Sequence, residues 1–144
     1  MAFPGGGAYH GTKHAVEAFS DALRFELRGF GVDVVVIEPG LIKTRFGETA
    51  VDSIDAAAVD GDDPYADFNA AVGAATAGAY EGPLARLGGG PETVARAIER
   101  AISARRPKTR YKVTPSARLI LAQRRLLTDR AWDAFLRSQF PQPK

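Results

Sequence analysis

Tyr9 and Lys13 stand four residues apart in the run Ala8-Tyr9-His10-Gly11-Thr12-Lys13. On a helix that spacing puts both side chains on one face, about one turn apart, so a phenol and an ammonium can meet one bound molecule. A free tyrosine titrates near ~10, and a cation beside it favours the phenolate. The pair therefore suits proton transfer to or from a hydroxyl or carbonyl oxygen. The spacing alone is common on helices, where it is more often a core aromatic beside a solvated amine. What sets it apart is the segment one helix length later, Val34-Val35-Val36-Ile37-Glu38-Pro39-Gly40-Leu41-Ile42-Lys43-Thr44.

From Ala8 to Thr44 the chain resembles the short-chain dehydrogenase/reductase family. The resemblance rests on Tyr-x-x-x-Lys, the amphipathic helix after it, Gly29 and Gly31 in the turn, the apolar strand and Pro-Gly-x-x-x-Thr. The run from Pro91 to Pro107 is similar to the family's last helix-to-strand passage. The resemblance implies that Tyr9 is the general acid/base, that Lys13 holds the nicotinamide ribose and lowers the Tyr9 pKa, and that Tyr9, Lys13, Pro39, Gly40, Ile42 and Thr44 bind the cofactor. In the loop, glycine permits close backbone approach, the Ile42 amide can meet a carboxamide, and Thr44 offers a hydroxyl. For Thr44 by itself a turn-stabilising hydroxyl is the plainer role. The implied cofactor is NAD or NADP, with NADP slightly favoured. The implied substrate is a small-molecule secondary alcohol or carbonyl, compatible with a lipophilic compound.

The family's glycine-rich pyrophosphate turn, its NAD/NADP-selecting residue, an asparagine and a serine about a dozen residues upstream all precede the tyrosine. Only eight residues precede Tyr9 here. Gly5-Gly6-Gly7 follows no apolar strand and has the wrong spacing; it reads as a mobile turn before the helix. Gly88-Gly89-Gly90 is followed by Pro91, which has no N–H to offer an anion. The expectation is the C-terminal half of a dehydrogenase, inactive by itself: an α/β fold, a partial Rossmann-type doubly wound parallel sheet, helix-rich, with about two remaining strands. Residues 1–47 would supply the Tyr-Lys helix, strand and Pro-Gly loop. Residues 48–90 would form the substrate flap, and residues 91–144 the last helix-strand unit and C-terminal cap helices.

The elements that must position these residues read as follows. Val16, Phe19, Leu23 and Leu27 recur at helical steps, predicting one helix over about 8–28 that ends at Gly29. Val32 to Glu38 reads as a strand buried on both faces, and Arg110 to Val113 as its only companion. Two short strands rarely make an independent sheet. Residues 41–64 read as a mobile loop closed by Asp60-Gly61-Asp62-Asp63-Pro64, whose carboxylates lack calcium-loop spacing and suit a helix start. An alanine-rich helix over about 65–81 follows, with Tyr65, Phe68, Val72 and Tyr80 as its larger groups. The helix from Pro91 to Arg105 should bury Val94, Ile98 and Ile102. Helices over Ser116–Leu127 and Asp129–Gln139, the latter anchored by Trp132, Phe135 and Leu136, read as a cap beside the substrate entrance. The other reading is a basic amphipathic surface touching lipid.

The 144 residues, 45% hydrophobic and 25% charged, fit one ordinary globular domain. The absence of cysteine excludes disulfides and thiolate metal sites, and suits a cytoplasmic location. His10 and His14 are too few for a histidine cluster, so no metal is expected. No run approaches the ~20 apolar residues of a membrane span, and no signal-peptide pattern begins the chain. The net charge of +2 hides a division. Residues 1–84 carry five Lys/Arg against thirteen Asp/Glu, whereas residues 85–144 carry fourteen against four. The two parts should attract each other, and the basic part could meet anionic partners. No helix-turn-helix or zinc pattern points to nucleic acid. The resemblance further implies a homo-oligomer through the Tyr-Lys helix, and the basic helices are compatible with weak membrane-surface contact. The alternative is a non-catalytic interaction module, in which the same helix is a subunit interface and the basic helices bind an acidic partner or membrane.

Overall fold

The computed structural model describes residues 1–55 and 63–143. Helix α1 spans Gly7–Glu26, and a 3-10 turn at Arg28–Phe30 leads to strand β1, Val36–Glu38. Helices α2 (Phe46–Asp55) and α3 (Ala66–Glu81) follow, then a 3-10 segment over Pro83–Leu87. Helix α4 (Pro91–Ser103), strand β2 (Arg110–Lys112), α5 (Pro115–Leu126) and α6 (Asp129–Gln139) complete the order. The two strands pair in parallel, with Val36 opposite Arg110, Ile37 opposite Tyr111 and Glu38 opposite Lys112. The fold is thus a helix-rich α/β arrangement on a two-stranded parallel sheet, consistent with part of a Rossmann-like fold.

Local chemistry explains most helix starts. Thr114 and Thr128 each accept a hydrogen bond, from the Ala117 and Ala131 N–H groups respectively, capping α5 and α6. Pro91 and Pro115 occupy first turns, where a missing N–H costs nothing. Asp63 Oδ1 accepts from the Tyr65 N–H at 2.8 Å just before α3, the helix-starting role read for that residue. Asp60, Gly61 and Asp62 of the same acidic run lie outside the described residues.

Several expectations are corrected. The first strand covers Val36–Glu38 rather than Val32–Glu38. A strand exists only where a neighbour supplies its hydrogen bonds, and β2 is three residues long. Helix α1 stops at Glu26, short of the expected end at Gly29, and Gly31 closes the following turn in the left-handed region (φ 72°). The expected loop over 41–64 contains α2, whose Phe46, Ala50 and Ile54 recur at helical spacing and which packs against α3. Helix α4 buries Ala97 and Ala101, leaving Ile98 exposed and Ile102 80% exposed. Small residues on the buried side let α4 approach β1 closely, which the larger isoleucines would prevent.

The buried apolar set among the described residues is small: Val36, Val72, Ala97, Ala101, Ala117 and Trp132. Helix α1 buries none of its residues, and Phe19 and Phe25 are 67% and 86% exposed. Charge ties this helix to the sheet. Arg110 on β2 donates to Glu17 at 2.9 Å and to Asp21 at 2.7 Å, and lies 3.3 Å from Glu38 on β1. Arg24 donates to Asp21 at 2.6 Å and to the Val34 carbonyl at 3.4 Å. The Arg24 and Arg110 hydrogen bonds hold the Asp21 carboxyl below its ordinary value.

Replacing Arg110 with methionine removes the cation between α1 and both strands and leaves Glu38, a mostly covered carboxylate, without a counter-charge. We expect Tm to fall by about 3–6 °C at neutral pH, the scale of a few partly exposed ion pairs. The Asp21 contribution exists above its unfolded pKa near ~3.9 and is lost as pH falls through the lower folded value. The Tm gap should therefore narrow in acid below that range, and a gap independent of pH would contradict the account.

Candidate functional site

Tyr9 and Lys13 lie in the first two turns of α1, both exposed. The Lys13 Nζ stands 5.3 Å from the Tyr9 ring centroid, so the two side chains do share one face. Around the phenol ring are His10 and Phe46, with centroids 5.4 and 5.5 Å away. Burial pushes the His10 imidazole below its usual range, helped by the N-terminal ammonium and His14, so it packs as a neutral ring near pH 7. Tyr80 of α3 lies against Gly47 of α2. Burial raises its phenol above the ordinary value, and charge on the neighbouring Tyr9 adds to the rise.

The Pro39–Thr44 loop is held from two sides. On one side the Leu41 N–H donates to Ser116 Oγ at 3.1 Å, and the Ser116 and Thr114 hydroxyls are 2.8 Å apart. Both residues are fully buried, at 0% and 1% exposure. On the other side the Gly89 N–H donates to the Leu41 carbonyl and the Lys43 N–H to the Gly89 carbonyl, each at 2.9 Å. This forms an isolated parallel bridge between Ile42 and Gly89.

The reason for glycine at 40 differs from the one expected. A Cβ there would overlap Thr114 Oγ1, Ser116 Oγ and the Ala117 nitrogen, so the close approach the loop requires is to the start of α5. Thr44 plays the plainer role: its hydroxyl oxygen accepts from the Phe46 N–H at 3.3 Å, at the entry to α2. Pro39 is exposed at the end of β1. The Ile42 N–H takes no part in the bridge to Gly89, whose own N–H and carbonyl bond the residues on either side of Ile42, Leu41 and Lys43.

These positions can be tested against a nicotinamide nucleotide. An Ile42 amide that the bridge does not use suits a carboxamide, the Thr44 hydroxyl keeps its proton for an outside acceptor, and an exposed ammonium at Lys13 suits ribose hydroxyls. The residues present fit that part of the group. Two open concavities elsewhere, of about 460 and 260 Å³, are lined by Arg137 with Phe140–Pro143 and by Lys112 with one face of α5. Neither includes Tyr9 or Lys13.

Sequence reasoning missed Ser116, Thr114 and Gly89 as the loop's supports, and Phe46 as the ring's neighbour. Thr114-Pro115 signals a helix start, but nothing local says that its hydroxyl meets a glycine more than seventy residues earlier.

Residues 1–55 match the family described as short chain dehydrogenase. An uncharacterized oxidoreductase, YbbO of Escherichia coli strain K12, is 37% identical over 133 residues, covering 92% of this chain and 42% of the relative. An NADPH-dependent 3-dehydrocapnine reductase of Ornithobacterium rhinotracheale is 38% identical over 127 residues, covering 88% and 42%. A 17-beta-hydroxysteroid dehydrogenase type 6 of Rattus norvegicus is 62% identical over 40 residues, 28% of this chain and 13% of the relative. The chain thus spans less than half the length of the curated relatives it matches along most of its own length. No solved structure matches it.

Gly40→Ala should destabilise by about 1–3 kcal/mol through overpacking against α5. Ser116→Ala should cost about 1–2 kcal/mol by leaving the Leu41 N–H unpaired. Urea unfolding of both variants reads this directly, and a double variant should fall short of the sum because both changes act on one contact. Strict additivity would argue against the shared contact.

Proposed function

The chain belongs to the short-chain dehydrogenase/reductase family of oxidoreductases, and from that premise we propose that it carries the proton-transfer part of an NAD(P)-linked interconversion of a secondary alcohol and a carbonyl. The observation that supports this most directly is the shared face of Tyr9 and Lys13, with the Lys13 ammonium 5.3 Å from the phenol ring.

In this reading Tyr9 Oη gives its proton to the carbonyl oxygen during reduction and takes the hydroxyl proton during oxidation. Lys13 holds ribose hydroxyls. Ile42 N–H, Thr44 and the Pro39–Gly40 turn orient the nicotinamide end. The bound dinucleotide supplies or accepts the hydride. NADPH is the form named for the 3-dehydrocapnine reductase, which supports a slight preference for NADP here. Phe46 beside Tyr9 supports an apolar substrate, in line with the steroid named for the rat relative. The exposed Val16, Phe19 and Leu23 on α1 support assembly with a second copy through that helix. The oxidoreductase relatives favour this reading over an interaction module, and a cytoplasmic location remains part of the proposal.

In the protein that contains this segment, Tyr9→Phe should lower kcat by about 10²–10⁴ without unfolding, and Lys13→Met should also raise the KM for the dinucleotide. Nicotinamide absorbance with secondary alcohol and ketone panels provides the measurement. Turnover unchanged in Tyr9→Phe would sink the proposal. Phe19→Glu should shift sedimentation toward the monomer; an unaltered sedimentation coefficient would remove the α1 interface.

A further inference from the structure

Strand β2 ends at Lys112 and α5 starts at Pro115, so the lysine and one face of the helix border the same concavity. Arg118, Leu121, Ala122 and Arg125 line it, with Leu126 beside them. The first four follow the i, i+3, i+4, i+7 spacing of a single helical stripe.

The cations of this stripe have no counter-charge paired to them among the described residues. Lys112, Arg118 and Arg125 form no ion pair among the described residues, and no Asp or Glu occurs between Glu99 and Asp129. Arg124 on the same helix behaves differently. It pairs with Asp129, donates to the Leu127 carbonyl at 3.3 Å and lies 5.7 Å from the Trp132 ring, which joins α5 to α6. Arg118 and Arg125 are exposed and hold no such post. Leu119 and Leu126 run beside them, seven residues apart as the arginines are, and are 49% and 84% exposed.

Like charges held together without counter-ions raise a local positive potential that attracts an anion from outside. A free inorganic anion would answer the cations and leave the leucines in water. A lipid surface answers both, because headgroup phosphates meet the arginines while the leucines enter the boundary between headgroups and acyl chains. We propose that Lys112 and the Arg118–Leu126 face of α5 form a docking surface for an anionic phospholipid bilayer. The contact is peripheral, since no described helix is long and apolar enough to cross a membrane. It stands independently of the Tyr9 chemistry, so either can fail alone.

The test is co-sedimentation of the whole chain with vesicles of phosphatidylcholine alone or mixed with phosphatidylglycerol, at low and high salt, with and without inorganic phosphate. Retention should require the anionic lipid and fall with salt. Each arginine near such a surface is worth about fivefold, so Arg118→Gln with Arg125→Gln should reduce binding about 25-fold. Arg118→Lys with Arg125→Lys should keep most of it. Leu119→Gln with Leu126→Gln should weaken retention at unchanged charge, and circular dichroism should match wild type in all variants. Equal retention on neutral vesicles overturns the proposal, as does full binding by the glutamine variants of the arginines. Displacement by phosphate together with an unaffected leucine variant would show a free-anion site and overturn it too. If the glutamine variants lose their helical signal, the lysine and leucine variants decide the question.

Discussion

Gly40 sits where β1 has just ended and its main chain lies against the hydroxyls of Thr114 and Ser116, the residues that cap and begin α5. Thr114 can bond the Ala117 N–H, its own capping partner, and the Ser116 hydroxyl; Ser116 in turn accepts from Leu41. Any side chain at residue 40 would push these groups apart. The consequence is mechanical: the loop bearing Ile42 and Thr44 leaves the sheet in one direction, with its course fixed by α5 on one side and Gly89 on the other. The course of the loop in turn sets where α2 begins, and α2 brings Phe46 to the ring of Tyr9.

Helix α1 is held by different physics. None of its residues is buried, and its attachment to the sheet comes from Arg110 and Arg24 reaching Glu17, Asp21 and a carbonyl of the β1 approach. Ion pairs of this exposure are individually weak, but they set direction. One guanidinium spans α1, β1 and β2 at once, so it fixes the rotation of α1 about its axis and with it the direction of Tyr9 and Lys13. The contacts that aim the pair are thus polar, while the apolar stripe of the same helix stays available for another surface.

The charge division along the chain has two outcomes in three dimensions. Part of it is consumed internally, since the Arg110 network joins the basic part to the acidic part. The rest is left over: the cations on the α5 stripe form no ion pair among the described residues. Surplus of one sign on a face that also shows leucines is a different physical object from a neutralised one, and only the paired arginines contribute to holding the fold.

Sequence alone determined the family resemblance, the Tyr9–Lys13 face, the number of strands, the parallel α/β character and most helix positions. Each of these depends on spacing within one turn, one strand or one cap, and Asp129–Gln139 is bounded by Thr128 on one side for that reason. Tertiary structure decided the rest. It shortened β1, since a strand is only as long as its neighbour; it turned α4 onto Ala97 and Ala101, since a helix close to a sheet needs small residues there; and it made a helix of Phe46–Asp55 by packing it on α3. It also gave Gly40 its partner. A glycine announces in sequence that something must come close, but which atoms do so depends on two hydroxyls placed by a strand and a helix far along the chain, and no local pattern encodes that meeting.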